Sequence, residues 1–233
     1  MPLDIQNNIL LRVNAETSAQ ELRVPEGVKT IGYRAFAGCP RLAALTLPIS
    51  LRMIEDHALD ECTMLETLTI PQRVNMIGTN AFSRNTALSF RTNTVSLLVP
   101  PRTAYYDSSD ASVLADILHK KNVHDTEMLF PMLRTFEFRS AAAVWLMQEL
   151  KPRNAAEWLM QNAAGIMEMY LRLGSTGMLH LMLNTKVIPA EMLEKTISLA
   201  IEKGDHEIYM MLVNHKQEAF GISAESDTGT FRL

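Results

Sequence analysis

Apolar residues recur along the first hundred positions in a frame of 23. Leu22-Arg23-Val24-Pro25, Leu45-Thr46-Leu47-Pro48 and Leu68-Thr69-Ile70-Pro71 each set an alternating apolar pattern ahead of a proline. Val28, Leu51 and Val74 follow in phase, then Ile31, Ile54 and Ile77. Ala35-Phe36, Ala58-Leu59 and Ala81-Phe82 come next, then Cys39, Cys62 and Asn85, and last Leu42, Leu65 and Leu88. A fixed period with locked apolar phase is the mark of a solenoid, in which each coil buries its apolar side against the next. The alternation in Leu42-x-x-Leu45-x-Leu47 predicts a short strand with one buried face. Pro48 ends it, because proline has no N–H for a ladder. Leu51, Ile54, Ala58 and Leu59 are spaced for a corner and a short helical or 3-10 return. Each coil is therefore expected to hold one strand, and the stack a parallel sheet of three or four. The best copies span 22–44, 45–67 and 68–90. Ile9-Leu10-Leu11-Arg12-Val13 predicts a cap strand before them. After Leu88 the period breaks: Arg91 falls where the next leucine is due, and Leu97-Leu98-Val99-Pro100 predicts one last strand displaced by an insertion.

Beyond Pro100 the apolar period becomes helical. Residues 101–110 concentrate Pro, Ser and Asp, which predicts a linker between a repeat domain at 1–100 and a helical one at 111–220. Ser109 or Asp110 can cap a helix from Ala111, with Val113, Leu114, Ile117 and Leu118 on one face. Further helices are predicted at 126–136, 139–150, 154–163, 165–173, 176–186, 190–203 and 205–219, punctuated by Pro152, Pro189, Gly174 and Gly204. The stretch around Gly174 aligns with that around Gly204 as a second, weaker repeat. Trp145 and Trp158, each followed by Leu-Met, are expected at equivalent packing positions. Met147, Met160, Met167, Met182 and Met211 are expected in helix seams. Residues 221–233 are expected to form a mobile tail.

The repeated units resemble the BspA-like leucine-rich repeats of bacteria, with a consensus close to L-x-L-P-x-x-V-x-x-I-G-x-x-A-F-x-x-C-x-x-L. Residues 22–48 match it almost throughout, the second unit carries Glu55 and Leu59 in place of Gly and Phe, and the third carries Asn85 in place of Cys. The resemblance covers rather less than half of the chain. It implies protein–protein or surface interaction, with members commonly secreted. Residues 196–212, two helices about a Gly turn, resemble an ankyrin repeat that lacks the Thr-Pro-Leu-His opening and the finger, and an antiparallel α-hairpin array satisfies the same pattern. The expected fold is thus a repeat protein, α+β overall. A short leucine-rich solenoid of parallel β with irregular or 3-10 returns precedes an all-α array of ankyrin-like helical hairpins.

Composition narrows the function. Net charge is −4; residues 1–100 hold nine basic and nine acidic side chains and the remainder thirteen and seventeen, so no basic stripe points to nucleic acid. No apolar run is long enough to span a membrane. The first residues lack a basic region ahead of an apolar core, which reads as cytoplasmic. Cys39 and Cys62 occupy one slot in successive coils, where parallel side chains rarely meet disulfide geometry; small buried thiols are expected. No phosphate-cradling glycine loop, Gly-x-Ser-x-Gly elbow or His-Glu-x-x-His occurs. The acidic residues Asp56, Asp60 and Glu61 read as a solvated turn, and the six histidines are scattered. No enzyme activity, cofactor or metal is expected. The chain reads as a non-catalytic scaffold or adaptor with a protein partner and possible self-association. Its candidate binding residues are Arg23, Thr46, Thr67 and Thr69 on the outward strand face and Arg102, Tyr105 and Tyr106 at the joint. The alternative is a small-molecule enzyme or effector with its site at that joint.

Overall fold

The computed structural model describes residues 3–14, 20–83, 85–92, 95–101, 109–120 and 122–221. The in-phase positions are the core of the coils. Val28, Leu51, Val74, Ile31, Ile54, Ala35, Phe36, Ala58, Leu59, Ala81 and Phe82 are all within 3% of complete burial. Each larger aliphatic or aromatic side chain removed from water contributes about 1.5–3 kcal/mol.

Each coil contributes two strands where the pattern predicts one. The long strands are β3 (Glu21–Arg23), β5 (Ala44–Thr46), β7 (Thr67–Ile70) and β9 (Ala87–Arg91). The added short strands, β4 (Thr30–Ile31), β6 (Met53–Ile54) and β8 (Met76–Ile77), stack in parallel one full period apart: Ile31 pairs with Ile54, and Ile54 with Ile77. Strands this short cannot show an alternation, which is why they leave no periodic signal. At the start, β1 (Leu3–Gln6) pairs antiparallel with β2 (Ile9–Val13), and β2 lies parallel to β4, completing a sheet in the order β1-β2-β4-β6-β8.

The last coil is shorter than its period suggests. Glu21 pairs with Ala44, a full period on, but Thr67 pairs with Ala87, three positions short of one. Leu88 therefore sits opposite Leu68 and is itself the strand leucine. Arg91 then occupies the slot that Pro25, Pro48 and Pro71 fill earlier. Without a proline the strand continues, and β10 (Ser96–Val99) folds back antiparallel on β9, Ser96 against Arg91. The turn is held by Thr92, whose hydroxyl accepts from Val95 N at 3.0 Å and whose amide donates to Val95 O at 2.9 Å. The final strand is therefore a hairpin cap, not an insertion-displaced coil.

Acidic side chains tie coil to coil. Glu55 accepts the Tyr33 amide at 2.7 Å, Glu61 that of Gly38 at 2.9 Å and Asp56 that of Thr79 at 2.6 Å. The Asp56–Glu61 stretch, expected to be merely solvated, instead satisfies main-chain donors on both sides of the second coil. At Gly78 an added Cβ would lie 2.3 Å from Asp56 Oδ1 and 2.4 Å from Asp56 N, so only glycine allows this approach.

The chain divides into two compact units, residues 1–142 and 143–233, and the division falls inside a helix; of the linker expected at 101–110, residues 102–108 lie outside the described residues. The first unit keeps α1 (Ser109–His119), which packs on β8, and α2 (Val123–Leu129), which runs into a 3-10 turn at Phe130–Met132. Pro131 shortens the helix expected at 126–136 by removing a donor. Asp110 is 1% exposed and does not cap its own helix. Its carboxylate accepts from Arg134 N, Thr135 N and Thr135 Oγ1 at 2.6–3.2 Å, anchoring the start of α3 (Phe136–Glu149). Phe138 of α3 meets Phe90 of β9 edge to face, their ring centroids 6.3 Å apart.

In the second unit, α4 (Arg153–Arg172) is one helix of 20 residues where two were expected. Ala155, Leu159, Ala163, Ile166 and Tyr170 keep an unbroken buried stripe past Gly165, whose cost in a helix is only about 1 kcal/mol. Helices α5 (Thr176–Asn184), α6 (Ala190–Lys203) and α7 (His206–Phe220) follow. The Gly174 and Gly204 turns are equivalent. Both glycines are left-handed (φ 64° and 71°), and the next amides, Ser175 and Asp205, reach back to Tyr170 O and Ala200 O. Met167, Met178 and Met182 fill the seams, whereas Met160 and Met210 are exposed. The tryptophans differ: Trp145 is buried and Trp158 only half-buried. The expected tail, apart from Gly221, lies outside the described residues.

Candidate functional site

Burial of Leu45, Leu68 and Ile70 forces the alternate residues of the long strands outward. Arg23 faces Thr46 across the β3–β5 register, while Thr67 and Thr69 oppose Ala87 and Ser89 of β9. Arg23, Thr46, Thr67 and Thr69 are all exposed and form one strand face. Arg102, Tyr105 and Tyr106 lie outside the described residues, and with them the joint.

A groove of about 380 Å³ opens on this face. Thr46 and Thr69 form part of its wall; Arg23 and Thr67 stand beside it. Its remaining outer lining comes from residues that sequence reasoning did not name as binding residues: Ile49, Gln72, Arg73 and Arg91. Pro48 and Pro71 end their strands, and the residues after each proline turn outward at the corner. Ile49 is consequently 72% exposed, its amide donating to Glu26 Oε1 at 3.2 Å. Arg91 reaches the groove because the last coil is cut short. The sequence signal for this is the arginine in a proline slot, which an unbroken period of 23 places instead at a leucine position. Arg73 and Arg91 are exposed, and among the described residues their guanidiniums engage in no hydrogen bond or ion pair.

A second groove, of about 450 Å³, lies along the short strands and is lined by Tyr33, Met53, Glu55, Asp56, Met76 and Ser112 among others. Its carboxylates are committed to the amides of Tyr33 and Thr79. Beside it Tyr33 meets the His57 ring edge to face at 6.0 Å, Arg34 lies 5.5 Å from the Tyr33 ring centroid, and His57 Nδ1 is 2.6 Å from Asp60. These groups satisfy one another.

Other reactive side chains are dispersed. Both cysteines are free thiols. Cys62 is fully buried, and burial above all pushes its thiol up to about 12, with the negative charge of Cys39, Asp60 and Glu61 adding to it. Burial also raises Cys39, with Glu61 contributing. A thiol held protonated is a poor nucleophile and metal ligand. His119 Nδ1 bonds the Ala115 carbonyl at 2.6 Å, and His206 stacks on Tyr209. Among the described residues no three His, Cys, Asp or Glu side chains converge as a metal site, and no helix is long and apolar enough to cross a membrane.

No curated protein and no solved structure matches the chain. Residues 12–109 match the family described as the BspA type leucine rich repeat region, in six copies. With its regular coils, buried Leu-Val-Ile-Ala-Phe phase and stacked parallel strands, this part of the chain is a BspA-type leucine-rich repeat region.

Proposed function

We propose that the chain is a non-catalytic adaptor that binds a protein partner through the outward face of its long strands. A leucine-rich repeat region suggests a protein-interaction module. The observation that carries the finer reading is the 380 Å³ groove at Thr46 and Thr69, flanked by two arginines without partners among the described residues and by an exposed isoleucine. Arginine and well-seated apolar side chains are the groups that anchor protein interfaces. The surrounding small residues leave the strand face accessible and contribute shape more than energy.

The test is positional. A photo-crosslinking amino acid is placed at Thr46 in the full chain, and in a second version at Asn75, an exposed residue outside the groove's lining. Irradiation in native cell extract is expected to give a discrete polypeptide adduct from position 46 and none from 75. An adduct at twice the 26.2 kDa chain mass would identify the partner as a second copy. Equal labelling from both positions, or none from 46, would overturn the reading.

A further inference from the structure

The charge around the two grooves differs in a way that selects a ligand. In the short-strand groove the ionisable groups already serve the coils. In the long-strand groove two guanidiniums, Arg73 from the corner after β7 and Arg91 from the end of β9, have no carboxylate partner among the described residues. No acidic residue among those described lines this groove. Glu26, from the neighbouring coil, is bound to the Ile49 amide. The chain as a whole is acidic, at −4, so two unpaired arginines beside one cavity run against its overall charge. That balance also disfavours a polyanion such as nucleic acid, which needs a broad basic surface rather than one local pair.

The apolar component lies next to the charge. Ile49 is among the most exposed large hydrophobic residues, and the buried Pro71 lines the same groove. Outward-facing Thr46 and Thr69 add hydroxyls to the same groove. Arginine's planar fork matches a carboxylate in bidentate fashion, and its charge-assisted bonds are about twice as strong as neutral ones. An extended strand alternates its side chains, so a bound peptide can send acidic residues to the arginines and an aliphatic one to Ile49.

We infer that the groove of Thr46, Thr69, Arg73 and Arg91 seats an extended acidic peptide segment, its carboxylates on the two arginines and an adjacent aliphatic side chain on Ile49 and Pro71. This rests on the protein-interaction reading and supplies the chemistry of the partner.

A displayed library of random peptides is selected on the full chain and, in parallel, on the Arg73→Gln/Arg91→Gln double variant. Both side chains are exposed, so the variant keeps the fold. Wild type is expected to enrich peptides carrying at least two Asp or Glu beside an aliphatic residue, and the double variant is not. An enriched peptide, synthesised with a fluorophore, should lose about tenfold in affinity for each single Arg→Gln change, and weaken as salt rises. Amide resonances of Thr46 and Thr69 should shift on its binding. Neutral or basic peptides that shift those same resonances would overturn the acidic assignment and leave the interaction module standing. Enrichment unchanged in the double variant, no enrichment at all, or oligothymidylate binding as tightly as the best peptide would also overturn it. The crosslinking at position 46 judges the module separately.

Discussion

The stacked coils and the helical unit hold their elements in place by different means. In the coils, main chain pairs with main chain once per period through β4, β6 and β8, and side chains such as Glu55 and Asp56 reinforce the stack. The same slot is even left-handed in three successive coils, at Arg34, His57 and Asn80 (φ 51°, 57° and 49°), although arginine has no preference for that region. The ladder holds it there: Arg34 N donates to Asp56 O, and His57 N to Thr79 O at 2.9 Å. In the helical unit main-chain bonds stay within each helix and its turns. The helices meet through side chains, Met167, Met178 and Met182 among them. Backbone register fixes every residue in a coil, whereas side-chain packing accepts substitutes of similar volume.

The largest test of this contrast removes core volume from a coil and exchanges a seam side chain for one of similar volume in the helical unit. Leu51 is completely buried in the middle coil, with stacked neighbours that cannot collapse into a void. Leu51→Ala should cost about 3 kcal/mol in urea unfolding. Met182→Leu, at an equally buried seam position, should cost less than about 1.5 kcal/mol. Comparable losses in both would show that the helical seams are as strictly specified as the coils.

The same contrast explains what could be read in advance. Leu45, Leu51, Ile54 and Leu59 repeat because each has one place to go, so the solenoid and its period were legible. The short last coil was not. The Leu88 side chain is buried under either alignment, and only the pairing of Thr67 with Ala87 shows which holds. The groove was half-legible: Thr46 and Thr69 follow from strand alternation, but Arg91 depends on that hidden shortening, and Ile49 and Arg73 on corner geometry. The break expected near Gly165 failed for a different reason, since the buried stripe through Ala163 and Ile166 outweighs one glycine.

A medium-sized effect separates the coils from the helices by pH. The Cys62 thiol, ordinarily near 9.0, stands at about 12 in the folded coil because burial resists its ionisation. Below pH 9 it is protonated whether the chain is folded or not and adds no pH dependence. Between about 9 and 12 the unfolded chain releases the proton and the folded one keeps it, so stability falls as pH rises, by up to about 1.4 kcal/mol per unit from this group. Cys62→Ala should remove that part of the slope, measured as the difference between the two urea-denaturation profiles. Parallel profiles would mean that the thiol ionises in place. Native Cys62 should also resist thiol reagents below pH 9.

The smallest effects concern glycine, where the two regions differ in kind. The coils hold Arg34 and His57 left-handed by laddering; the turn after α6 has no ladder and uses Gly204, φ 71°, as its cap. Nothing lies within 4 Å of a Cβ added there, so Gly204→Ala meets no clash and should lose only the conformational cost, about 1 kcal/mol. Gly177 supplies the opposite sign. It lies in the first turn of α5, is not left-handed, and likewise has open space around a Cβ. Gly177→Ala should therefore stabilise by about 0.5 kcal/mol, because alanine restricts the unfolded chain and favours the helix. Thermal unfolding of both variants is the measurement. Equal and small effects of the same sign would show that Gly204 does not need its left-handed conformation, and the turn shared with Gly174 would lose its claim to define the second repeat.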